Sequence, residues 1–317
     1  MDLPIVDLAR TDTSDLSRAR AAVAIDDALT RVGVMAIVHH GIHPRLVARA
    51  FDASRTFFDR PLDAKEAVAV EPGRAHGYGR PGNDWQANAN ADRTSPDLSE
   101  TYSIHPGHDR RLEPNRWPTE IVGFRETLTD YLRATAALAD RVMGLCALAL
   151  GLDERFFAPH IDRAALTLRA NHYPAPARRP EPLPARGGAH SDDGSITLLA
   201  TDGVPGLEVR AIDGTWHPAS APRGSFIVNV GDLLARWTND RWRSTWHRVV
   251  PPAGAPPYAR RLSLVLVQTP NEDAVIECLP TCVAADRPAR YERVTAGEFL
   301  RAKLDAPYAV QGERPAI

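Results

Sequence analysis

Leu166-Thr167-Leu168-Arg169-Ala170-Asn171-His172-Tyr173-Pro174 is the stretch on which the fold turns. Positions 166, 168 and 170 are apolar, whereas Thr167, Arg169, Asn171 and Tyr173 carry polar groups. That alternation is the two-residue period of a strand with one buried face. The period upstream is different. Between Pro118 and Leu150, apolar Ile121, Phe124, Leu128, Tyr131, Leu138, Val142 and Leu145 recur at spacings that predict one long amphipathic helix. Thr135 fills the gap in that stripe, and Gly151 reads as the C-terminal cap.

Downstream, strands are predicted at Ser195–Thr201, Leu207–Ile212, Ser225–Val230, His247–Val250 and Leu262–Gln268. Asp213-Gly214 is a hairpin-turn signal, and Gly187-Gly188, Gly203, Gly231 and Asn239-Asp240 punctuate the rest. Many short strands separated by turns predict a barrel or a two-sheet jelly roll. Near the N-terminus, helices are predicted at Ser14–Val32 and Pro44–Asp59, with a buried strand at 34–38 between them. Residues 71–97, rich in Gly, Pro, Asn and Asp, read as a long lid-like loop. A last helix is expected at Ala296–Leu304. The expected fold is mainly β with helical N-terminal packing. Residues 1–150 form a helical and mixed region and 151–317 the β core, in one compact unit.

Composition narrows the function. The 317 residues carry 38 basic and 40 acidic side chains, a formal charge of −2, which gives no general attraction to nucleic acid. No apolar run approaches the roughly 20 residues of a membrane helix, and the N-terminus does not read as a signal peptide. Cys146, Cys278 and Cys282 are too few for a disulfide framework, so a reducing, cytoplasmic setting is expected. Cys278 and Cys282 make at most half of a structural zinc site. Only Lys65 and Lys303 among the basic residues are lysine.

Four segments carry candidate chemistry. In His190-Ser191-Asp192, a strand would present an imidazole and a carboxylate to one side, although a surface pair has the same pattern. His247 lies 55 residues after Asp192, a gap that fits several barrel strands returning to one mouth. Alone it reads as a core or surface histidine. In Arg261-Leu262-Ser263, a guanidinium beside a hydroxyl makes a cradle for a carboxylate, or an arginine paired with an acidic neighbour. Thr167, Arg169, Asn171 and Tyr173 face a cavity if their strand lines one, and water if it does not.

Taken in order, Asn171-x-Tyr173-Pro174, His190-x-Asp192, His247 and Arg261-x-Ser263 resemble the isopenicillin N synthase-like family of non-haem Fe(II)/2-oxoglutarate-dependent oxygenases. Gly188-Ala189-His190-Ser191-Asp192, Val230-Gly231-Asp232, Trp237-Thr238-Asn239 and Ser244-x-x-His247-Arg248-Val249 extend the likeness. So do Leu3-Pro4-Ile5-Val6-Asp7, His40-Gly41-Ile42, Gly77-Tyr78 and Asp97-Leu98-Ser99-Glu100, so that residues 3–305 are covered. Val34-Met35 departs from the family's usual aromatic pair.

The resemblance implies a double-stranded β-helix, or jelly-roll, core. It implies that His190, Asp192 and His247 hold Fe(II), and that Arg261, Ser263, Asn171 and Tyr173 hold 2-oxoglutarate. Co-substrate and O2 would then drive oxidation of an unactivated C–H bond, with hydroxylation the commonest outcome and desaturation, cyclisation or epimerisation open to the same oxidant. Zinc binds such a set too, and the resemblance rather than the ligand types favours iron. An iron oxidase of the isopenicillin N synthase type, independent of 2-oxoglutarate, is the alternative; a zinc isomerase or a binding module is a third class. Tyr102, Arg169 and Trp237 are candidates for the substrate pocket, each with an ordinary core or charge-balancing role as the other reading. Arg80, Asn83, Asp84 and Trp85 lie in the polar loop, which points to a polar small molecule such as an amino-acid derivative or natural-product intermediate.

Overall fold

The structure, a computed structural model, describes residues 1–71, 76–81, 99–107, 113–175, 187–251 and 259–305. The helices form where the sequence caps and stripes them. Helix α1 (Asp15–Arg31) starts at Ser14, whose side chain accepts from the Ser17 amide at 3.2 Å. It is followed by α2 (Pro44–Phe58), with proline in its first turn, and the short α3 (Leu62–Glu66). Helix α4 (Phe124–Ala149) begins six residues later than predicted, because Gly123 adopts φ 73° and breaks the run from Pro118. Thr135 is buried in the α4 stripe, its hydroxyl returned to the Tyr131 carbonyl at 2.8 Å. Beyond it lie α5 (Ala158–Ile161), α6 (Asp232–Trp237) and α7 (Ala296–Asp305).

The strands in chain order are β1 (Ile5–Asp7), β2 (Val34–Val38), β3 (Gly77–Gly79), β4 (Glu100–Ile104) and β5 (Ala165–Tyr173). Then come β6 (Gly187–His190), β7 (Ile196–Thr201), β8 (Leu207–Arg210), β9 (Trp216–Pro218) and β10 (Phe226–Val230). The last are β11 (His247–Val249), β12 (Arg261–Thr269), β13 (Val275–Ile276) and β14 (Val294–Thr295). Among the described residues, β1-β2-β10-β7-β12-β5-β4-β3 form an eight-stranded sheet and β6-β11-β8-β9 a four-stranded one. The two sheets make the jelly roll. The N-terminal region is not set apart from the core, because β1 and β2 extend one edge of the large sheet and β3 and β4 the other.

Alternation sorts the large sheet into two faces. Leu198, Ala200, Leu262, Leu264, Leu266, Leu168 and Ala170 join the main core beneath α1, α2 and α4. Val34, Ala36 and Ile227 face the other way and meet Leu207 and Val209 of β8 in a smaller cluster between the sheets. On that second face the β5 residues and the near end of β12 are polar: Arg261 pairs with Tyr173 and Ser263 with Asn171, before Val265 and Val267 meet Arg169 and Thr167.

Three expectations need correction. The 71–97 stretch is not all loop: Gly77–Gly79 pairs with β4, although 72–75 and 82–98 lie outside the described residues. Gly187-Gly188 belongs to a strand rather than a turn. Segment 232–237, where no element is predicted, is a helical turn.

Candidate metal centre

Strand β11 is antiparallel to β6, and the register sets His247 directly opposite His190. Their ring centroids are 4.3 Å apart. The expectation that Asp192 shares a strand face with His190 does not hold, because β6 ends at His190 and Asp192 sits in the turn beyond. The turn brings it to the same place. Nε2 of His190 and Nε2 of His247 each lie 3.7 Å from Oδ1 of Asp192. One donor atom from each residue falls within 4.8 Å of the others.

The surrounding bonds fix which atoms are offered. Nδ1 of His190 is 2.8 Å from the Gly188 carbonyl oxygen, and Nδ1 of His247 is 3.2 Å from that of Thr245. A carbonyl only accepts, so each Nδ1 carries the proton and each Nε2 lone pair points at the shared space. Asn229 donates to Oδ2 of Asp192 at 2.7 Å and leaves Oδ1 turned inward. Burial opposes ionisation of Asp192, but His247, His190 and the Asn229 bond outweigh it and hold the carboxyl at about 2. Burial and the neighbouring His190 keep His247 below its usual value. Two neutral imidazoles and one carboxylate are the donor set for a divalent metal with open positions.

A second cluster stands beside it. Arg261 and Ser263 are each 1% exposed, and the guanidinium donates to the Ser263 hydroxyl and the Val204 carbonyl, both at 3.3 Å. The guanidinium carbon lies 5.0 Å from the centre of the Tyr173 ring. Tyr173 reaches across to the small sheet, where its hydroxyl comes within 3.7 Å of a Cβ placed on Gly187. No carboxylate among the described residues pairs with Arg261. A buried cation without a counter-ion is costly, and an anion bound beside it would offset that cost.

The substrate candidates fare differently. Arg169 shares the polar face, since it pairs with Val265 between Asn171 and Thr167. His76 joins it from the edge, with Nε2 3.2 Å from the Thr167 hydroxyl and its ring 4.6 Å from that of His105. Burial first, then His105 and Arg169, push the His76 imidazole down to about 4, so it is neutral at pH 7. Tyr102 is elsewhere. It pairs with Ala170 on the helix-facing side, packs on Phe57 and Phe124 at 4.7 and 5.3 Å, and gives its hydroxyl proton to the Arg116 carbonyl. Trp237 is a core residue too: its ring contacts Phe157 and His160, and its indole N–H donates to Val275 at 3.1 Å. Arg80 pairs with Glu66 at 2.7 Å, while Asn83, Asp84 and Trp85 lie outside the described residues.

Residues 164–270 match the family described as the 2OG-Fe(II) oxygenase superfamily, and residues 3–120 match the non-haem dioxygenase in morphine synthesis N-terminal family. Validamycin A dioxygenase of Streptomyces hygroscopicus subsp. limoneus is 35% identical, over 95% of this chain and 85% of its own length. The chain belongs to the 2-oxoglutarate–Fe(II) oxygenases. A proline hydroxylase of Petromyces alliaceus is 33% identical, over 89% of this chain and 91% of that one. A full-length Neurospora crassa protein crystallised with alpha-KG and thymine superposes with a TM-score of 0.86 at 31% identity, covering 95% and 96% of the two chains. This oxygenase is therefore a non-haem Fe(II)/2-oxoglutarate-dependent dioxygenase. The matches support 2-oxoglutarate dependence and not the co-substrate-free alternative.

Two residues that the structure places beside the site are not singled out by the sequence. Asn229 had a signal, as the one polar side chain in Phe226-Ile227-Val228-Asn229-Val230, all of it buried. His76 had none, because its partner Thr167 is 91 residues away.

Proposed function

We propose that this oxygenase hydroxylates a polar small molecule, with His190, Asp192 and His247 holding Fe(II) and Arg261, Ser263, Asn171 and Tyr173 holding 2-oxoglutarate. The observation that carries the assignment is the buried Arg261 guanidinium with no acidic partner among the described residues. Bound there, iron and 2-oxoglutarate supply the oxidising power: co-substrate, O2 and R–H give succinate, CO2 and R–OH. The protein's own tasks are positional. Arg261 and Ser263 take the far carboxylate of the co-substrate and fix its depth. Tyr173 caps the guanidinium with its ring and closes the gap between the sheets. Asn229 keeps Asp192 turned inward.

Arg169, with His76 and Thr167, receives the polar part of the substrate. Their support is their common placement on the polar face of β5 and at its edge. Relatives acting on validamycin A and proline support a natural-product or amino-acid-derivative substrate. The three cysteines are all unpaired, which supports a reducing, cytoplasmic setting.

The test is anaerobic binding of 2-oxoglutarate to the Fe(II)-loaded protein, read from its visible charge-transfer band. Arg261→Leu is expected to weaken 2-oxoglutarate by roughly a hundredfold or more, since stranding one partner of a buried pair costs about 3–5 kcal/mol. Fe(II) affinity is expected to stay within twofold. Unchanged co-substrate affinity would remove Arg261 from this role.

A further inference from the structure

Outside the triad, the densest set of charges near it is built around a lysine. Lys303 Nζ donates to Oδ1 of Asp193 and, at 2.5 Å, to Oδ2 of Asp232. Asp193 follows the ligand Asp192 directly. The Asp232 amide donates to the Asp192 carbonyl at 2.7 Å, and Oδ2 of Asp232 also accepts from the Ser191 hydroxyl at 3.3 Å. Asp232 Oδ1 is buried with no partner among the described residues. Among those residues, Lys303 is the one cation paired with either carboxylate.

The lysine comes from α7, more than a hundred residues after the loop it meets. That helix is docked rather than trailing. Ala296 is fully buried and its amide donates to the Ala274 carbonyl at 2.9 Å, Phe299 packs on the core, and Arg301 pairs with Glu272 at 2.8 Å. Gly194 and Gly231 complete the join: the Gly231 amide donates to Ser195 at 2.8 Å and the Leu233 amide to Gly194 at 3.2 Å. The turn that presents Asp192 is thus gripped on both flanking sides by groups that converge on one ammonium.

We propose that Lys303 is a positioning residue of the metal centre, which locks the 191–194 turn to α6 and so holds Asp192 ready before any metal binds. This rests on the metal-centre reading above. Without the ammonium, Asp193 and Asp232 are left as adjacent, unneutralised carboxylates and push the turn apart. The turn then has to be ordered by the incoming ion, and affinity falls.

The measurement is anaerobic Fe(II) titration of the metal-free protein by calorimetry. Lys303→Met is expected to bind Fe(II) ten- to a hundredfold more weakly, the loss typical of removing a group that orients a ligand. Lys303→Arg, which can still bridge two carboxylates, is expected within about threefold of the parent by the same reasoning. Hydrogen exchange on the metal-free Lys303→Met protein should quicken at the Asp232 and Leu233 amides while β5 and β12 amides keep their protection. Should the methionine variant not fold, Lys303→Gln, with a shorter stem and a neutral amide in place of the ammonium, is the second variant, and about a fivefold or greater loss is expected. Fe(II) affinity within twofold of the parent in Lys303→Met or Lys303→Gln, or tighter than the parent, overturns the proposal. His247→Ala is the control for the centre itself: if it binds Fe(II) like the parent, the metal reading fails, whatever Lys303 does.

Discussion

Asn229 occupies the position where a small change should be felt most sharply. Its amide restrains the outer oxygen of Asp192, so Asn229→Ala frees the carboxylate to rotate. Metal affinity is expected to fall about ten- to a hundredfold with little change in unfolding midpoint, as measured by anaerobic Fe(II) titration beside urea denaturation. At this scale the sequence was informative about identities and less so about geometry. His190, Asp192 and His247 converge, yet Asp192 arrives through a turn rather than by strand alternation. Alternation did hold for Arg261 and Ser263, which share a face opposite Leu262 and Leu264. Tyr102 shows the limit of position-by-family reasoning, because one step of register decides which side of β4 a ring occupies, and no local pattern in Glu100-Thr101-Tyr102-Ser103-Ile104 reveals it. The family motif Trp237-Thr238-Asn239 proves structural. The Asn239 amide ties Cys282 and Pro288 at 3.2 and 3.0 Å, with the backbone held at φ 52°.

Elements are joined by a charged cluster on the helix-facing side of the large sheet. Glu100 of β4 accepts from Lys65 at the end of α3, from the Tyr78 hydroxyl of β3 and from the His172 ring of β5, all at 2.7 Å. Lys65→Met leaves Glu100 buried without its cation and is expected to cost about 3–5 kcal/mol of stability in urea unfolding. Burial raises the Glu100 carboxyl, but the bonds from His172, Lys65 and Tyr78 outweigh it and hold the group at about 2. Its contribution is therefore complete above its ordinary value of 4.5 and fades as pH falls from there through 2. Stability measured against pH should drop across that window, and less steeply in Glu100→Gln. The long elements were legible because α1, α2 and α4 carry caps and stripes of their own. Strand β3 was not, since glycine disfavours a strand and only its neighbours make it one, and β6 is expected only from the family resemblance around His190 and not from its own Gly187-Gly188 start. A Cβ on Gly187 would make only ordinary contacts, 3.5 Å from Val249 and 3.7 Å from the Tyr173 hydroxyl, so packing there does not demand glycine.

The molecule as a whole depends on how closely its segments approach around the metal turn. A Cβ on Gly231 would overlap the carbonyl oxygen of Gly194, with backbone on both sides and nothing flexible to move. Gly231→Ala is expected to destabilise by about 1–3 kcal/mol and to weaken Fe(II) at the same time, as thermal unfolding with and without the ion would reveal. The order of the large sheet reaches further than the folded state. Strand β2 is flanked by β1 and β10, and β10 begins at Phe226, 188 residues (226 − 38) after β2 ends at Val38. A ribosome adding about 5–20 residues per second needs roughly 10–40 s to deliver that partner. Throughout the wait, one hydrogen-bonding edge of β2 has no strand to meet, and Met35 and Ile37 have no finished core above them. The nascent chain must therefore be shielded by a chaperone or stay unstructured until its last third emerges, and a recombinant fragment ending before β10 should aggregate where the intact protein does not.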